Sequence, residues 1–477
     1  MAIEDNKVSV NLGRLDGGLV TRLPAHMIDA NQSPSCQNID PSEHGALKKR
    51  KGYIKFTSAA KVTPTGTFVS GLYAAATSGG TAYVLAAEGT VLHDITAGNW
   101  STTVSGVTIT VDTMVRMRMF NDKFIICNQG GGPFKWTGSG AAASLGGTPP
   151  ANARNVEVHR ARVWLAANTS VLSFSALSNE EDYTTADNAG SITINKGDGM
   201  VINGIISGGD FLIVSKTAPS SGGKEGKLYV ITGSSVFDFS VKKVADVGAV
   251  GQEGMVAYDN FVAVATERGV VAIRGREPFK LSEPVDVTYV TIPNKGTIAA
   301  GRYKTTLRFA YPATGSQNNR VLNLDVERGV WSNDTGKTAR IYANHPDGRL
   351  LFGTSGTSIL VWEDENGTND DGSNISMIWD TPDLDFGEWA APKRLQATDI
   401  HAENTGATLT LEHLIDGTLQ SYSQTMATAT EGPVKRMPLH QNIRGKFHRL
   451  RISNNSTTAV TVYQLKCFAQ LFGIGSK

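Results

Sequence analysis

The chain has 477 residues, 51 of them glycine, with 19% charged residues and a net charge of +1. That length allows a large core and more than one domain, and the glycine content fits many short strands joined by tight turns. The balanced charge excludes a general nucleic-acid binder, which would carry a basic excess. Three cysteines, Cys36, Cys127 and Cys467, are too few and too dispersed for a disulfide framework or a zinc site, and Cys127 in FIIC reads as core.

The chain opens MAIEDNKVSV, with neither the basic nor the apolar region of a secretory signal. No apolar run approaches the roughly 18 residues of a membrane helix. A protein made in a cytoplasm, which does not leave it by the usual secretory route, is expected, without a membrane-spanning segment. Residues 1–52 are polar and turn-rich, with Pro24, Pro34 and Pro41. They predict an irregular arm laid over the body or over a neighbouring subunit. The basic run KKRKGYIK at 48–55 reads as a solvated or interface strand end, with phosphate binding as the sharper alternative.

From residue 53 a hairpin recurs. It reads YVLAAEGTVLHDIT at 83–96, FIICNQGGGPFKW at 124–136 and VWLAANTSVLSFS at 163–175. Longer-turned versions run over 211–233 and 307–326, and further copies over 262–275 and 350–364. That makes about seven copies at a spacing of roughly 40–50 residues, the period of propeller blades. Residues 201–244 hold four strand-like runs in one unit, VINGIIS, DFLIVSK, GKLYVITG and SVFDFSVKKV. Each hairpin is marginal alone and must borrow burial from its neighbours, so a β-propeller is predicted over 53–375. Helical periodicity is nearly absent.

The acidic stretch EDENGTNDDGSN at 363–374 reads as a long loop or linker. Beyond it, residues 376–477 alternate cleanly, Leu409 with Leu411, Leu450 with Ile452 and Val460 with Val462. A small C-terminal antiparallel β-sandwich is predicted there. The fold class is therefore all-β: an irregular N-terminal arm, a propeller of about seven blades and a sandwich.

Motifs for chemistry are sparse. TGKT at 335–338 resembles the end of a phosphate-binding loop, but Trp331 stands where its first glycine must be. The acidic loop from Asp364 fails the EF-hand register, because its sixth position is Asn369. Asp94, Asp182 and Asp238 fall in turns or strands, and sequence alone does not pair any two of them across one pocket, as a glycosidase requires. Trp100 and Trp331, each following a turn, predict aromatics that close a blade over its outer strand; a sugar-stacking platform is the alternative. No cofactor, metal or catalytic residue is called for.

Four stretches carry a resemblance. GGLVTRLPAHMIDANQSPSCQNIDPSEHGALKKRKGY resembles the opening of tail proteins of tailed bacteriophages, through Asn31 and Gln32, then Gln37, Asn38 and Asp40, then Gly45 and Leu47, then Arg50 and Gly52. RARVWLAANTSVLSFSALSNEEDYTT at 160–185, VLNLDVERGVWS at 321–332 and MIWDTPDLDFGEWAAPKRLQATDIHAE resemble later parts of the same proteins. Among these proteins the chain most resembles the nozzle, or tail hub, of short-tailed phages. The resemblance implies a structural virion protein, made in the host cytoplasm, that forms a homo-hexameric ring below the portal and head-to-tail adaptor. Such a ring extends the DNA channel, retains the genome until ejection without binding it specifically, and offers surfaces to tail fibres or spikes. It implies no enzyme activity. The competing reading is a glycan-binding or glycoside-acting propeller with an accessory sandwich.

Overall fold

The computed structural model describes residues 7–219, 225–356, 358–403, 406–427, 434–439 and 443–472. Among them the chain is all-β, with one short α-helix, Asp286–Val290. No helix is long and apolar enough to cross a membrane.

The seven hairpins read from the sequence are each the middle pair of a four-stranded antiparallel unit. Six are separate sheets, spanning 69–104, 116–144, 155–193, 201–245, 255–280, and 339–364 with Tyr53–Lys55 added. The remaining unit, 299–335, is sixth in chain order and is part of a nine-stranded sheet. These middle strands are buried on both faces, and their period-two alternation divides residues between two different cores. In the second sheet Phe124 and Ile126 pack with Leu85 and Ala87 of the first, whereas Ile125 and Cys127 pack with Val163 and Leu165 of the third. In the fourth sheet Leu212 and Val214 face Trp164, and Ile213 faces Val262 and Val264 of the fifth. Val84 and Ala86 of the first sheet share a core with Leu351 and Val361 of the last. Burial of that kind stabilises by about 1.5–3 kcal/mol per large side chain, and no single sheet could supply it alone.

The leading strands touch one another in sequence. Val69–Ala76 contacts Arg116–Phe120, and the succession continues through Asn155–His159, Val201–Ser207, Met255–Tyr258, Ala299–Tyr303 and Ala339–Asn344, which contacts Val69–Ala76 again.

Two further sheets involve the C-terminal residues. One runs Lys7–Leu12, Thr461–Leu471, Lys393–Glu403, Val434–Pro438. The other carries Ile375–Asp380, His448–Ser456, Thr408–Ile415 and Thr418–Ala427, and belongs to the nine-stranded sheet. The alternating Leu409, Leu411, Leu450, Ile452, Val460 and Val462 all lie in the core these sheets share.

The N-terminal segment lies against the chain's own body, and parts of the expected irregular arm are short strands. Lys7–Leu12 is an antiparallel edge strand on Thr461–Leu471. Cys36–Gln37 lies between Val330–Thr335 and Ile375–Asp380, and so joins the sixth unit to the C-terminal strands. Leu47–Lys48 pairs with Thr461 and Val462. Tyr53–Lys55 is the outer strand beside Val361–Asp364. Leu12, Leu15 and Leu19 are buried in the chain's own core. Strands of two or three residues present no alternation to read, which is why the sequence suggests loop where the structure has stitches.

Candidate functional site

Two places concentrate polar chemistry: the cavity between the leading strands, and the junction where residues 36–52 meet the last two four-stranded units. The cavity has a volume of about 300 Å³, room for roughly ten waters. Tyr73, Met117, Val156, Met255, Ala300 and Ile341 are among its lining residues, drawn from six of the leading strands. Arg116 bridges it. The guanidinium donates through Nε to Glu253 Oε1 at 2.9 Å and through Nη2 to Oε2 at 3.1 Å, and Nη1 donates to the Arg154 carbonyl at 2.9 Å. This pair links the second sheet to the turn leading into the fifth across the cavity. Glu253 is the one carboxylate lining that cavity, and both of its oxygens are occupied. A pair of carboxylates able to hydrolyse a glycoside is not assembled there. Asp94, Asp182 and Asp238 do not converge either. Each caps its own turn, Asp94 accepting from Thr96 N, Asp182 from Thr184 N and Thr185 N, and Asp238 from Ser234 N and Ser235 N.

The junction is built around Asn38 and Arg50. Asn38 is buried and sits at φ 56°, a left-handed state that asparagine tolerates better than most residues. Its Oδ1 accepts from Arg50 Nε at 2.8 Å and Thr335 N at 2.9 Å, and its Nδ2 donates to the Ser376 carbonyl and to Thr335 Oγ1. Arg50, only 4% exposed, forks onto Asp370 at 2.8 and 2.7 Å, and donates to the carbonyls of Lys51 and Thr335. Gln37 Nε2 reaches the Ser376 carbonyl. Next to Arg50 lies Asp334, 3.7 Å from its Nε and 3.2 Å from Lys337 Nζ. Lys337 and Arg308 both pair with Asp364 at 2.9 Å, and Arg308 also reaches Glu365. Burial alone would raise the Asp364 carboxyl, but Arg308 and Lys337 outweigh it and hold it down at about 2. Lys49 points elsewhere, onto Asn454 Oδ1 and the Ser456 carbonyl, and burial lowers it to about 8. Gly52 is required by space: a Cβ there would stand 1.6 Å from the Asn369 carbonyl oxygen.

A second clamp holds the preceding turn. Arg328 donates to the carbonyls of Pro41, Glu43 and Asp16 and to Asp16 Oδ2, which also accepts from Gly45 N. Gly45 takes φ 80°, Leu47 is buried, and Asp40 caps the turn by accepting from Ser42. Asn31 and Gln32 hold a more distant turn, through the Asn31 carbonyl on Gly17 N and Gln32 Oε1 on Asp29 N. Of the residues singled out in the sequence, Gln37, Asn38, Arg50 and Gly52 therefore meet at one junction, Asp40, Gly45 and Leu47 shape its approach, and Asn31 and Gln32 lie apart.

Several partners were not legible. The stretch 363–374 reads as a solvated linker, yet Asp364 and Asp370 are buried in ion pairs. Lys337 of TGKT is completely buried among carboxylates. Half of KKRK faces inward, which leaves Lys49 and Arg50 no freedom to bind phosphate. The usable signal was charge inside strand-like text, in NLDVERGVWSNDTGK. Trp100 is 8% exposed and stands edge-on to His93. Trp331 is 1% exposed, packs on Phe309 and donates to the Leu281 carbonyl. Neither offers a face to a sugar. Among the described residues, no group of three or more His, Cys, Asp or Glu side chains is placed to hold a metal ion. No protein-family model and no curated protein sequence matches the chain.

Proposed function

We propose that the chain is a structural component of a tailed-phage particle, the nozzle or tail hub. In this reading the seven four-stranded units are blades of a closed β-propeller, and the C-terminal sheets are its sandwich. The circuit of contacts between leading strands supports closure, as does the way Tyr53–Lys55 supplies the outer strand of the last blade from the opposite end of the chain. The observation that carries the reading is the fate of the residues behind the tail-protein resemblance. Gln37, Asn38, Arg50 and Gly52 are spent on a buried junction between propeller and sandwich, as befits a part selected for shape.

The cavity sharpens the proposal. A space of about 300 Å³ crossed by the Arg116–Glu253 pair cannot pass a nucleic acid. The DNA channel is then the lumen between six copies, with portal or adaptor proteins above and fibres or spikes at the side. Near-neutral charge suits such a lumen, since every neutralised phosphate would add counterion-release affinity and hold the genome back. Quantitative mass spectrometry of density-purified particles tests this. About six copies per particle are expected from a closed cyclic ring. Absence from particles, with abundance in the lysate, overturns it.

A further inference from the structure

Of the seven tryptophans, Trp389 alone is open to solvent, at 67% exposure; five are buried and Trp362 is half-buried. It stands in the connection from Ile375–Asp380 to Lys393–Glu403, on a turn that is firmly held. Phe386 is buried beside the His448 ring at φ 53°. An aromatic residue in the left-handed region is an uncommon state that surrounding structure must impose. Gly387 follows at φ 83°, its N–H bonded to Asp385 Oδ1, while Glu388 N and Ala391 N donate to the carbonyls of Asp385 and Glu388. The turn thus anchors one ring inside and presents the next outside.

Its surroundings are polar. Gly445 is bonded both ways to Lys393, the Asp416 carboxylate holds Lys446 N and Phe447 N, and Phe472 N donates to the Pro392 carbonyl. These bonds gather residues 384–393, 416, 443–447 and 472 at one end of the sheets. Arg444 lies 3.7 Å from the centre of the Phe472 ring. Glu388, Arg444 and Lys446 are exposed, and Ile443 is the other large apolar side chain exposed in these loops. A stable protein interface buries about 800 Å² per partner around an apolar core, and one indole with one isoleucine supplies little of such a core. A flat exposed ring beside the exposed Glu388 carboxylate on one fixed turn matches a pyranose instead, which has an apolar C–H face and a rim of hydroxyls. The fixed turn removes the ordering cost that a mobile loop would add to binding.

We propose that this end of the C-terminal sheets is a saccharide-binding subsite, with one pyranose ring stacked on Trp389 and its hydroxyls bonded to Glu388. The inference goes beyond the tail assignment and is independent of it, since particle composition does not depend on Trp389. The test is an array of bacterial-type oligosaccharides probed with the labelled full-length chain, followed by titration of the strongest ligand. Trp389→Ala is expected to raise Kd at least about tenfold, equivalent to 1.4 kcal/mol, with an unchanged melting temperature because the ring is exposed. The ligand should also shift tryptophan emission in the wild type and not in that variant. The proposal is overturned if no oligosaccharide binds, or if Trp389→Ala and Glu388→Gln both bind as the wild type does. It is equally overturned if Trp389→Ala converts an oligomer to monomer in sedimentation, which would make the indole a contact between copies.

Discussion

Arg50→Ala removes the cation at the centre of the junction. Asp370 is left 8% exposed and without its bidentate partner, and Asn38 Oδ1 and the carbonyls of Thr335 and Lys51 each lose a donor. Breaking a buried pair by removing one member costs about 3–5 kcal/mol, because the surviving charge stays buried and uncompensated. With an unfolding entropy near 2.1 cal/mol/K per residue, a chain of 477 residues loses roughly 1 °C per kcal/mol, so the global melt should fall by about 3–5 °C. The local effect is larger. Arg50 ties the first 55 residues to Asp370, so opening of that segment should become roughly 10²- to 4 × 10³-fold more frequent. Hydrogen exchange read over 7–55 is the suitable assay, with Arg50→Lys as the companion variant: it keeps the charge but cannot fork onto Asp370, and it should fall between wild type and alanine. If Arg50→Ala exchanges like the wild type over 7–55 and melts within 1 °C of it, the junction does not hold the segment and the reasoning is wrong.

Three further outcomes follow from single sites. Gly52→Ala places a methyl against the Asn369 carbonyl and should cost about 1–3 kcal/mol as overpacking; a melting temperature equal to wild type would show that the 366–372 turn yields freely. Trp331→Ala empties a fully buried position and should cost about 3–5 kcal/mol in a chemical denaturation series. His413 and His448 are buried with ring nitrogens 2.9 Å apart; burial lowers both, His413 to about 3. The unfolded chain therefore binds more protons than the folded one below about pH 6.5, so stability present above that pH drains away as pH falls toward 3, by about 2 kcal/mol from His413 alone at pH 5. Thermal melts from pH 7.5 to 5 should fall less steeply for His413→Gln, with a residual slope from His159, which burial lowers to about 4; parallel slopes would refute the assignment.

The repeat was legible because its strands are buried on both faces. Sequences such as FIIC and FVAVA are dense in β-branched and aromatic residues and end in glycine turns, so each middle hairpin announces itself. Outer strands were harder. Ala143–Ser144 and Gly190–Thr193 are short and largely exposed, and carry no apolar code. The junction was half legible. Asn38, Arg50 and Gly52 stand in the stretch that resembles phage tail proteins, but Asp334, Lys337, Asp364 and Asp370 lie about 300 residues further on. Charge in a sequence is read as solvated face, and only tertiary pairing turns it into an interior. Trp389 was invisible for the opposite reason: its neighbours Phe386 and Trp379 are buried aromatics, and nothing in DFGEWAAP says which ring points out.

The position of the junction in the chain also constrains when the fold can close. Lys7–Leu12 waits for Thr461–Leu471, Lys49 for Asn454, and Arg50 for Asp370, separations of 405 and 320 residues for the two side-chain contacts. Contacts so distant are late and slow to form. The middle units have no such dependence, because each is made of consecutive strands. A chain leaving the ribosome can therefore build the units from 69 onward while residues 7–55 stay unpaired, and only residues from about 330 onward complete the outer strand, the junction and the edge of the C-terminal sheet. Polar side chains suit a seam that must remain open in water until then. Arg50, Lys337 and Arg308 can stay hydrated during the wait, whereas an apolar seam of the same size would expose a sticky surface to other nascent chains. The charges at the seam are in that sense a solution to the order of assembly, and the desolvation they cost is offset by ion pairs with Asp370, Asp364, Asp334 and Glu365.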